Sequence, residues 1–341
     1  MYTLARLTCT LKLTKVYEII KNNSLKKELI MSPKSYGAIV GFSVNKEETI
    51  ELPPNSDGLS KVTLQILPRT VSGSSLNVVR TLVSLGSAAK LLYTVGHDLH
   101  SHDVIEALTG WSIDGFPLPV RVGTPRTIVV IPSDPKETKL YCHKPLYDKE
   151  LIKGVCGDVR EQVGLCQPNY VVATGVRSED LILVQALFEG LGKKVLNPSY
   201  ELMKNYYSVV QVMSYGLDLL VMNHEEVCAG LDKPVSDFEP DADIVKLFEL
   251  LHAQALLVTY NSNGAFYRTK TTGIHQPSLS VDVIDPTGAG DAFLGGFLHC
   301  QLEGFSIERS MEFAAACAAA KIRKVGGSNV PTMEEVKEFL R

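Results

Sequence analysis

One short segment near the C-terminus combines two carboxylates with a run of small residues. It reads Asp-Pro-Thr-Gly-Ala-Gly-Asp at residues 285–291 and leads into a helical pattern. Backbone N–H groups at Gly288, Ala289 and Gly290 can approach a ligand closely, and a helix N-terminus adds positive potential suited to phosphate oxygens. A carboxylate at Asp291 would lie beside a hydroxyl in line with that phosphate and could accept its proton. The pattern predicts phosphoryl transfer, with a tight glycine turn capped by an aspartate as the structural alternative.

A second segment pairs an amide with a carboxylate after a strand-like run. Asn223-His-Glu-Glu226 directly follows the apolar run 217–222. Such oxygen ligands suit Mg²⁺, which keeps several of its waters and needs few protein ligands. An Asn N-cap with Glu in the first helical turn is an ordinary alternative for this pattern.

A third segment, Ser72-Gly-Ser-Ser-Leu-Asn77, precedes another helical pattern. The side-chain amide of Asn77 can both donate and accept hydrogen bonds. The structural alternative is a Ser N-cap followed by an Asn that faces solvent.

The composition limits the class of protein. The chain has 341 residues, 45% hydrophobic and 21% charged, as expected of a folded protein with one large α/β domain or about two domains. A net charge of −4 without a basic stripe argues against a nucleic-acid partner. No apolar run approaches the roughly 18 residues of a membrane span. We therefore expect a small-molecule substrate, no nucleic acid and no membrane.

Cysteine usage and the N-terminal segment bear on location. Seven cysteines, an odd number without a Cys-x-x-Cys pair, argue against a disulfide framework and indicate a reducing, cytoplasmic compartment. Residues 1–34 form an N-terminal extension with seven Lys or Arg against two Glu. This extension is expected to be either a dispensable segment, with Met31 as the true start, or a transit segment for organellar import.

From Tyr36 onward, apolar runs alternate with amphipathic helical patterns. This alternation predicts an α/β fold with a mostly parallel sheet and helices on both faces. Two stretches, at about 46–67 and 116–145, break the rhythm and predict a small β-sheet lid over a crevice at the carboxyl ends of the strands. The strand-like runs lie at 36–44, 90–95, 170–174, 194–197, 217–222 and 255–260, and helical segments lie at 179–191 and 241–252.

With these three motifs in this order, the chain resembles the ribokinase-like (PfkB) carbohydrate kinases from about Tyr36 to the C-terminus. The resemblance implies one kinase domain over 35–341, with a three-layer α/β/α ribokinase-like fold, a mostly parallel central sheet and a small β-sheet lid. It implies ATP-dependent phosphorylation of a hydroxyl group, with Mg²⁺ and a monovalent cation such as K⁺. Lids of this family cover the site alone or pair between subunits, so a homodimer through the lid is one expectation.

The resemblance also implies roles for individual residues. Asp291 is expected to be the catalytic base, and Gly288, Ala289 and Gly290 are expected to stabilise the transferring phosphoryl group. It implies Asn223 and Glu226 beside Mg²⁺ and the phosphates, Thr259, Asn261, Gly264 and Thr287 at the nucleotide, Asp285 at the monovalent cation, and Gly73 and Asn77 at the substrate.

Several positions depart from the family pattern. Where the family has a substrate-binding Asp after the first strand, Asn45 and Glu47 are the candidate stand-ins. Ser72 and Asn261 stand where the family has Gly. Arg126, on an expected lid strand, is a candidate for binding a phosphate or carboxylate of an acidic substrate, with a solvated Arg as the alternative.

The expected function is an ATP-dependent kinase that transfers the γ-phosphoryl group to a hydroxyl of a sugar or sugar derivative. A nucleoside kinase similar to adenosine kinases is one alternative, suggested by the segment around Asn77 and by the missing sugar-binding Asp. A non-catalytic ligand-binding relative is another, suggested by Glu47, Ser72 and Asn261 at constrained positions.

Overall fold

A computed structural model of the chain describes residues 36–52, 65–66, 70–131 and 139–340. The N-terminal extension expected at 1–34 and part of the expected lid lie outside the described residues. No helix among the described residues is long and apolar enough to cross a bilayer.

Fourteen strands form two separate sheets in this part of the chain. The large sheet has nine strands in the order β14-β13-β12-β11-β10-β9-β1-β5-β6, and only the pairs β12–β13 and β13–β14 are antiparallel. The strands are β1 Ala38–Phe42, β2 Asn45–Glu51, β3 Gln65–Ile66, β4 Thr70–Ser72, β5 Ala89–Gly96, β6 Gly115–Arg121, β7 Arg126–Ile131, β8 Lys139–His143, β9 Tyr170–Val176, β10 Lys193–Pro198, β11 Leu219–Asn223, β12 Leu256–Thr259, β13 Ala265–Arg268 and β14 Gly273–Gln276.

Eleven α-helices of the described residues connect and cover these strands. They are α1 Ser74–Ser84, α2 Leu99–Gly110, α3 Ile152–Cys166, α4 Leu181–Phe188, α5 Tyr200–Asn205, α6 Tyr207–Ser214, α7 His224–Gly230, α8 Pro240–Leu250, α9 Ala289–Leu302, α10 Ile307–Lys321 and α11 Met333–Glu338.

Alternate residues of the central strands face opposite helical layers. In β9, Val171 packs in one hydrophobic cluster and Val172 in the other, and Ile39 and Val40 of β1 divide in the same way. One cluster takes its helical residues from α3 to α8, and the other from α1, α2, α9 and α10. Burial on both faces explains the near-continuous apolar strand sequences. The expected three-layer α/β/α fold is thereby confirmed.

The smaller sheet has the order β3-β2-β7-β8, and β4 also pairs with β2. This sheet contains strands from both expected lid segments, 46–67 and 116–145. The second segment, however, contributes only β7 and β8, which lie within 126–143. The segment 115–121 is β6, which pairs in parallel with β5 at the edge of the large sheet. The expected lid segment 116–145 therefore has to be corrected at its start, because an apolar strand covered by α3 satisfies its backbone in the large sheet instead.

A buried ion pair joins the end of β6 to the start of α4. Arg121 Nη2 donates to Asp180 Oδ1 at 2.9 Å, and both side chains are almost fully buried. The same guanidinium also donates to the hydroxyl of Tyr147 and to the carbonyl of Pro145. Arg121 is thus the cation in direct contact with Asp180, and the two buried charges offset each other.

We expect Arg121→Leu to lower the free energy of unfolding by about 3–5 kcal/mol, because Asp180 would remain buried without the cation that contacts it. Urea denaturation of the purified protein measures this loss. The matched control is Arg160→Leu, which breaks an exposed ion pair with Glu189 and should change the free energy by less than about 1 kcal/mol. Equally small losses in both variants would contradict the structural role of Arg121.

Candidate active site

The carboxylate of Asp291 lies in the first turn of α9 and is held by two side chains from α1. The hydroxyl of Ser74 donates to Oδ1 at 2.5 Å, and the amide of Asn77 donates to Oδ2 at 2.8 Å. Ser74 and Asn77 are three residues apart and so share one face of their helix. Two helices that are distant in sequence therefore meet at this one carboxylate.

A glycine allows α1 to begin where it does. Gly73 has φ +131°, and a Cβ at this position would lie 2.5 Å from the carbonyl oxygen of Ser43, just after β1. Only glycine combines this backbone conformation with such a close approach. Gly73 thus brings Ser74 and Asn77 to the carboxyl end of β1, where open α/β sheets bind their ligands.

Burial raises the pKa of Asp291 to about 6, well above its ordinary value. The hydrogen bonds from Ser74 and Asn77 and the positive charge of Lys321 act in the opposite direction. The group is therefore largely ionised at neutral pH and remains basic enough to take up a proton near that pH.

The turn before α9 leaves space beside this carboxylate. Gly288 caps the helix with φ +82°, and a Cβ there would lie 2.8 Å from the carbonyl oxygen of Gly327. At Gly290 a Cβ would meet no atom within 4 Å. A ligand can therefore approach the backbone at Gly290, whereas Gly288 is needed for the turn itself.

Asp285 ties this turn to the loop after α10. Its carboxylate is buried, and it accepts hydrogen bonds from the backbone N–H of Thr287 at 2.9 Å and of Gly326 at 2.7 Å. The buried ammonium of Lys321 adds a positive charge that acts on Asp285. A free monovalent cation next to Asp285 would be repelled by this ammonium, so these residues do not fit such an ion.

Asn223 and Glu226 form the N-terminal cap of α7. The side chain of Asn223 accepts from the N–H of Glu226, and Glu226 Oε2 accepts from the N–H of Asn223, both at 2.8 Å. The structure therefore shows the N-cap arrangement, which was the structural alternative for this motif. Burial also raises the pKa of Glu226 to about 8, opposed by the bond from Asn223 and supported by the charges of Glu225 and Asp291. A buried carboxylate in acidic surroundings fits a nearby cation, which would favour its ionised form.

The nucleotide candidates lie at the ends of the neighbouring strands. Thr259 is in register with Asn223 across β11 and β12. Asn261 has φ +44°, a left-handed conformation that Gly adopts freely and Asn tolerates better than most residues. The loop thus keeps its turn with Asn in the family's Gly position. Gly264 has φ +88° and lies against the backbone of Gln276, so it also requires glycine.

Two candidate substrate residues carry acceptors that lack donors. Within the described part of the chain, Oε1 of Glu47 and Oδ1 of Asn77 are buried without a hydrogen-bond partner. Asn45 lies beside Thr94 and Arg121 in a small polar cavity at the end of β1. Arg126 is exposed at the start of β7, and among the described residues no ion pair connects it to the group around Asp291.

Sequence reasoning missed Ser74 and Lys321. Ser74 could have been found from its helical spacing to Asn77. Lys321 is the last residue of the alanine-rich helix α10, and it lies at i+4 from Cys317 and i+7 from Ala314 on the buried face. A lysine on such a face is a signal in itself, because Lys is almost never fully buried without a compensating charge.

Comparison with known proteins gives consistent matches over most of the chain. The profile of the pfkB family carbohydrate kinases matches residues 48–333. An ATP-dependent ribose-1-phosphate kinase of Halopiger xanaduensis is 25% identical over 304 residues, covering 87% of this chain and 95% of the relative. A 2-dehydro-3-deoxygluconokinase of Thermoproteus tenax is 24% identical over 300 residues, covering 80% and 85%.

Solved structures share the fold at lower sequence identity. Ribokinase from Giardia lamblia superposes with a TM-score of 0.74 at 17% identity, covering 89% of this chain and 99% of that chain. Phosphofructokinase-2 from Escherichia coli in complex with potassium gives a TM-score of 0.72 at 15% identity, covering 89% and 98%. Since the family profile spans most of the sequence and the architecture agrees with it, the chain belongs to the pfkB family of carbohydrate kinases.

Proposed function

We propose that this kinase transfers the γ-phosphoryl group of ATP to a hydroxyl of a sugar or sugar derivative, with Asp291 as the catalytic base. The arrangement that carries the proposal is a buried carboxylate held by Ser74 and Asn77 at the N-terminus of α9. Because this arrangement of Asp291, Ser74 and Asn77 is intact, it also argues against a non-catalytic ligand-binding relative.

Proton transfer and charge stabilisation follow from this arrangement. The substrate hydroxyl donates to Asp291, which takes up its proton as the oxygen attacks the γ-phosphorus and the bond to the β-phosphate oxygen breaks. The backbone N–H groups between Gly288 and Gly290, at the positive end of α9, stabilise the phosphoryl oxygens. Ser74 and Asn77 keep the carboxylate aimed at the substrate during this transfer.

Asn223 and Glu226 are the residues that would hold Mg²⁺. Among the described residues no cluster of three or more His, Cys, Asp or Glu forms a closed metal site. This suits Mg²⁺, which keeps several waters and shares its ligands with the phosphates of the nucleotide. When bound, the ion neutralises phosphate charge.

We propose a polyol as the substrate because the site contains buried hydrogen-bond acceptors that lack donors. Oε1 of Glu47 and Oδ1 of Asn77 are buried without partners, and unpaired buried acceptors are unfavourable. Hydroxyl groups of a sugar would supply the missing donors. The relatives from Halopiger xanaduensis and Thermoproteus tenax bear the names of kinases of a sugar phosphate and a sugar acid, which supports these two classes as first candidates.

We further propose a homodimer formed through the lid. The outer lid strand β8 carries the exposed Tyr141, and a phosphofructokinase-2 neighbour was solved as a tetramer. Sedimentation velocity should give a dimer for the native chain and a monomer for Tyr141→Lys, because an added charge opposes burial of that edge. A native monomer would contradict the dimer.

The base is tested by Asp291→Asn. We expect ADP release with Mg-ATP to fall by about a factor of 10²–10⁴ with the accepted sugar, because the amide cannot take up the proton. In the native enzyme, turnover should fall as the pH decreases through about 6, since a protonated Asp291 cannot act as a base. The acceptor is found with a panel of pentoses, hexoses, sugar phosphates, sugar acids and nucleosides, which also decides the nucleoside alternative.

Thermal melting is the control for this variant. The folded protein holds the Asp291 proton more tightly than the unfolded chain, so ionisation of this group lowers stability as the pH rises through the interval from its ordinary pKa to about 6. Asp291→Asn should therefore gain melting temperature relative to the native protein at alkaline pH and lose this advantage in acid. Undiminished ADP release in a well-folded Asp291→Asn would refute the assigned base.

A separate prediction concerns the turn before the helix. Gly290→Ala should fold normally, because a Cβ there meets no atom within 4 Å, yet it should lower kcat/KM by about tenfold or more by occupying the space for the phosphoryl group. Gly288→Ala is the contrasting variant, because φ +82° and the contact with Gly327 should lower its melting temperature as well. Full activity of Gly290→Ala would place the phosphoryl group elsewhere.

A further inference from the structure

The last residue of α10, Lys321, is the largest side chain with no exposed surface in the described structure. Its Nζ donates to the backbone carbonyl of Lys324 at 3.3 Å. A buried ammonium is unfavourable unless negative charge and hydrogen-bond acceptors compensate it. Such a residue in the core of an enzyme therefore calls for a physical reason.

The loop that accepts this hydrogen bond is also bonded to Asp285: the N–H of Asp285 donates to the carbonyl of Ile322 at 3.0 Å, and the N–H of Gly326 donates to the carboxylate of Asp285 at 2.7 Å. Burial lowers the pKa of Lys321, whereas the charges of Asp285, Asp291 and Glu47 oppose this and favour the ammonium form. Asp285 fixes the turn before α9, and Asp291 stands at the start of that helix. The ammonium thus contacts the loop after α10 that is tied to the turn before α9.

Two departures from the family pattern lead to the same lysine. Glu47, on lid strand β2, is buried, and its pKa is raised by burial, while a hydrogen bond with Ser72 and the charge of Lys321 lower it. Ser72 Oγ would lie 2.8 Å from a Cβ on Gly327, next to the loop that Asp285 holds. Ser72 therefore connects Glu47 with the loop after α10, and the charges of Glu47 and Lys321 are complementary.

We propose that the ammonium of Lys321 is a built-in cation of the active site, which takes over the role of a free monovalent ion beside Asp285. It holds the turn 285–288 against the loop after α10 and offsets the negative charge that Asp291 and the phosphates bring together. Glu47 is its counter-charge. The consequence for catalysis rests on the proposed kinase function, and Lys321 is a positioning residue because it acts through Asp285 and Asp291.

The native protein gives the first test. Melting temperature and ADP release are measured in potassium chloride and in choline chloride at equal ionic strength. Because an ion that binds only the folded state raises the melting temperature, a bound K⁺ would appear as a potassium-specific rise. We expect the same melting temperature and the same turnover in both salts. A potassium-specific rise, or activation by several-fold, would overturn the proposal.

The second test removes the charge. Lys321→Ala leaves room beside Asp285, so melting should become potassium-dependent, and turnover in choline should fall by about tenfold or more and recover in part with potassium. Lys204→Ala is the control variant, because its ammonium pairs with Asp232 instead, and it should respond to potassium as the native protein does. A folded Lys321→Ala that is indifferent to potassium and fully active would contradict the proposal.

The two readouts separate this proposal from the kinase function. Melting does not require turnover, so a potassium response that appears only in Lys321→Ala supports the built-in cation even without ADP release. Absence of ADP release with every acceptor would count against the kinase proposal alone. If Lys321→Ala does not fold, the indifference of the native protein to potassium still decides the question.

Discussion

The site depends on keeping one carboxylate charged inside the protein. Asp291 is surrounded by protein at the start of α9, and burial raises its pKa because it disfavours the charged form. Two donors from α1 and the ammonium of Lys321 restore much of its negative charge. The resulting pKa of about 6 leaves Asp291 charged at neutral pH but basic enough to accept a proton, as a general base requires.

The fold supplies these compensating groups from distant parts of the chain. Ser74 and Asn77 follow β4, whereas Asp291 opens α9 and Lys321 closes α10. Helices α1, α9 and α10 lie on the same face of the central sheet, so they pack against one another beside the carboxyl ends of the strands. Glycines at 73 and 288 permit the close approaches that bring the helix ends together. The packing of this helical layer therefore also determines where the groups of the active site lie.

Local patterns were enough to predict the fold and the Asp291 segment, because buried parallel strands and small-residue turns leave clear signatures in sequence. They did not predict that β6 belongs to the large sheet, since pairing partners are decided by tertiary packing. They also missed Lys321, whose significance arises only when the fold brings it within reach of the charges of Asp285, Asp291 and Glu47. Asn261 illustrates the opposite case, because a departure from Gly proved compatible with the same left-handed backbone.

The most direct measurement of the central claim is the titration of the Asp291 carboxyl group by ¹³C NMR, with Asp291→Asn identifying its resonance. The structure predicts a pKa of about 6 for this group in the native protein. Titration near the ordinary value for an aspartate would mean that the carboxylate is solvated, and it would contradict the account of a buried base held charged by Ser74, Asn77 and Lys321.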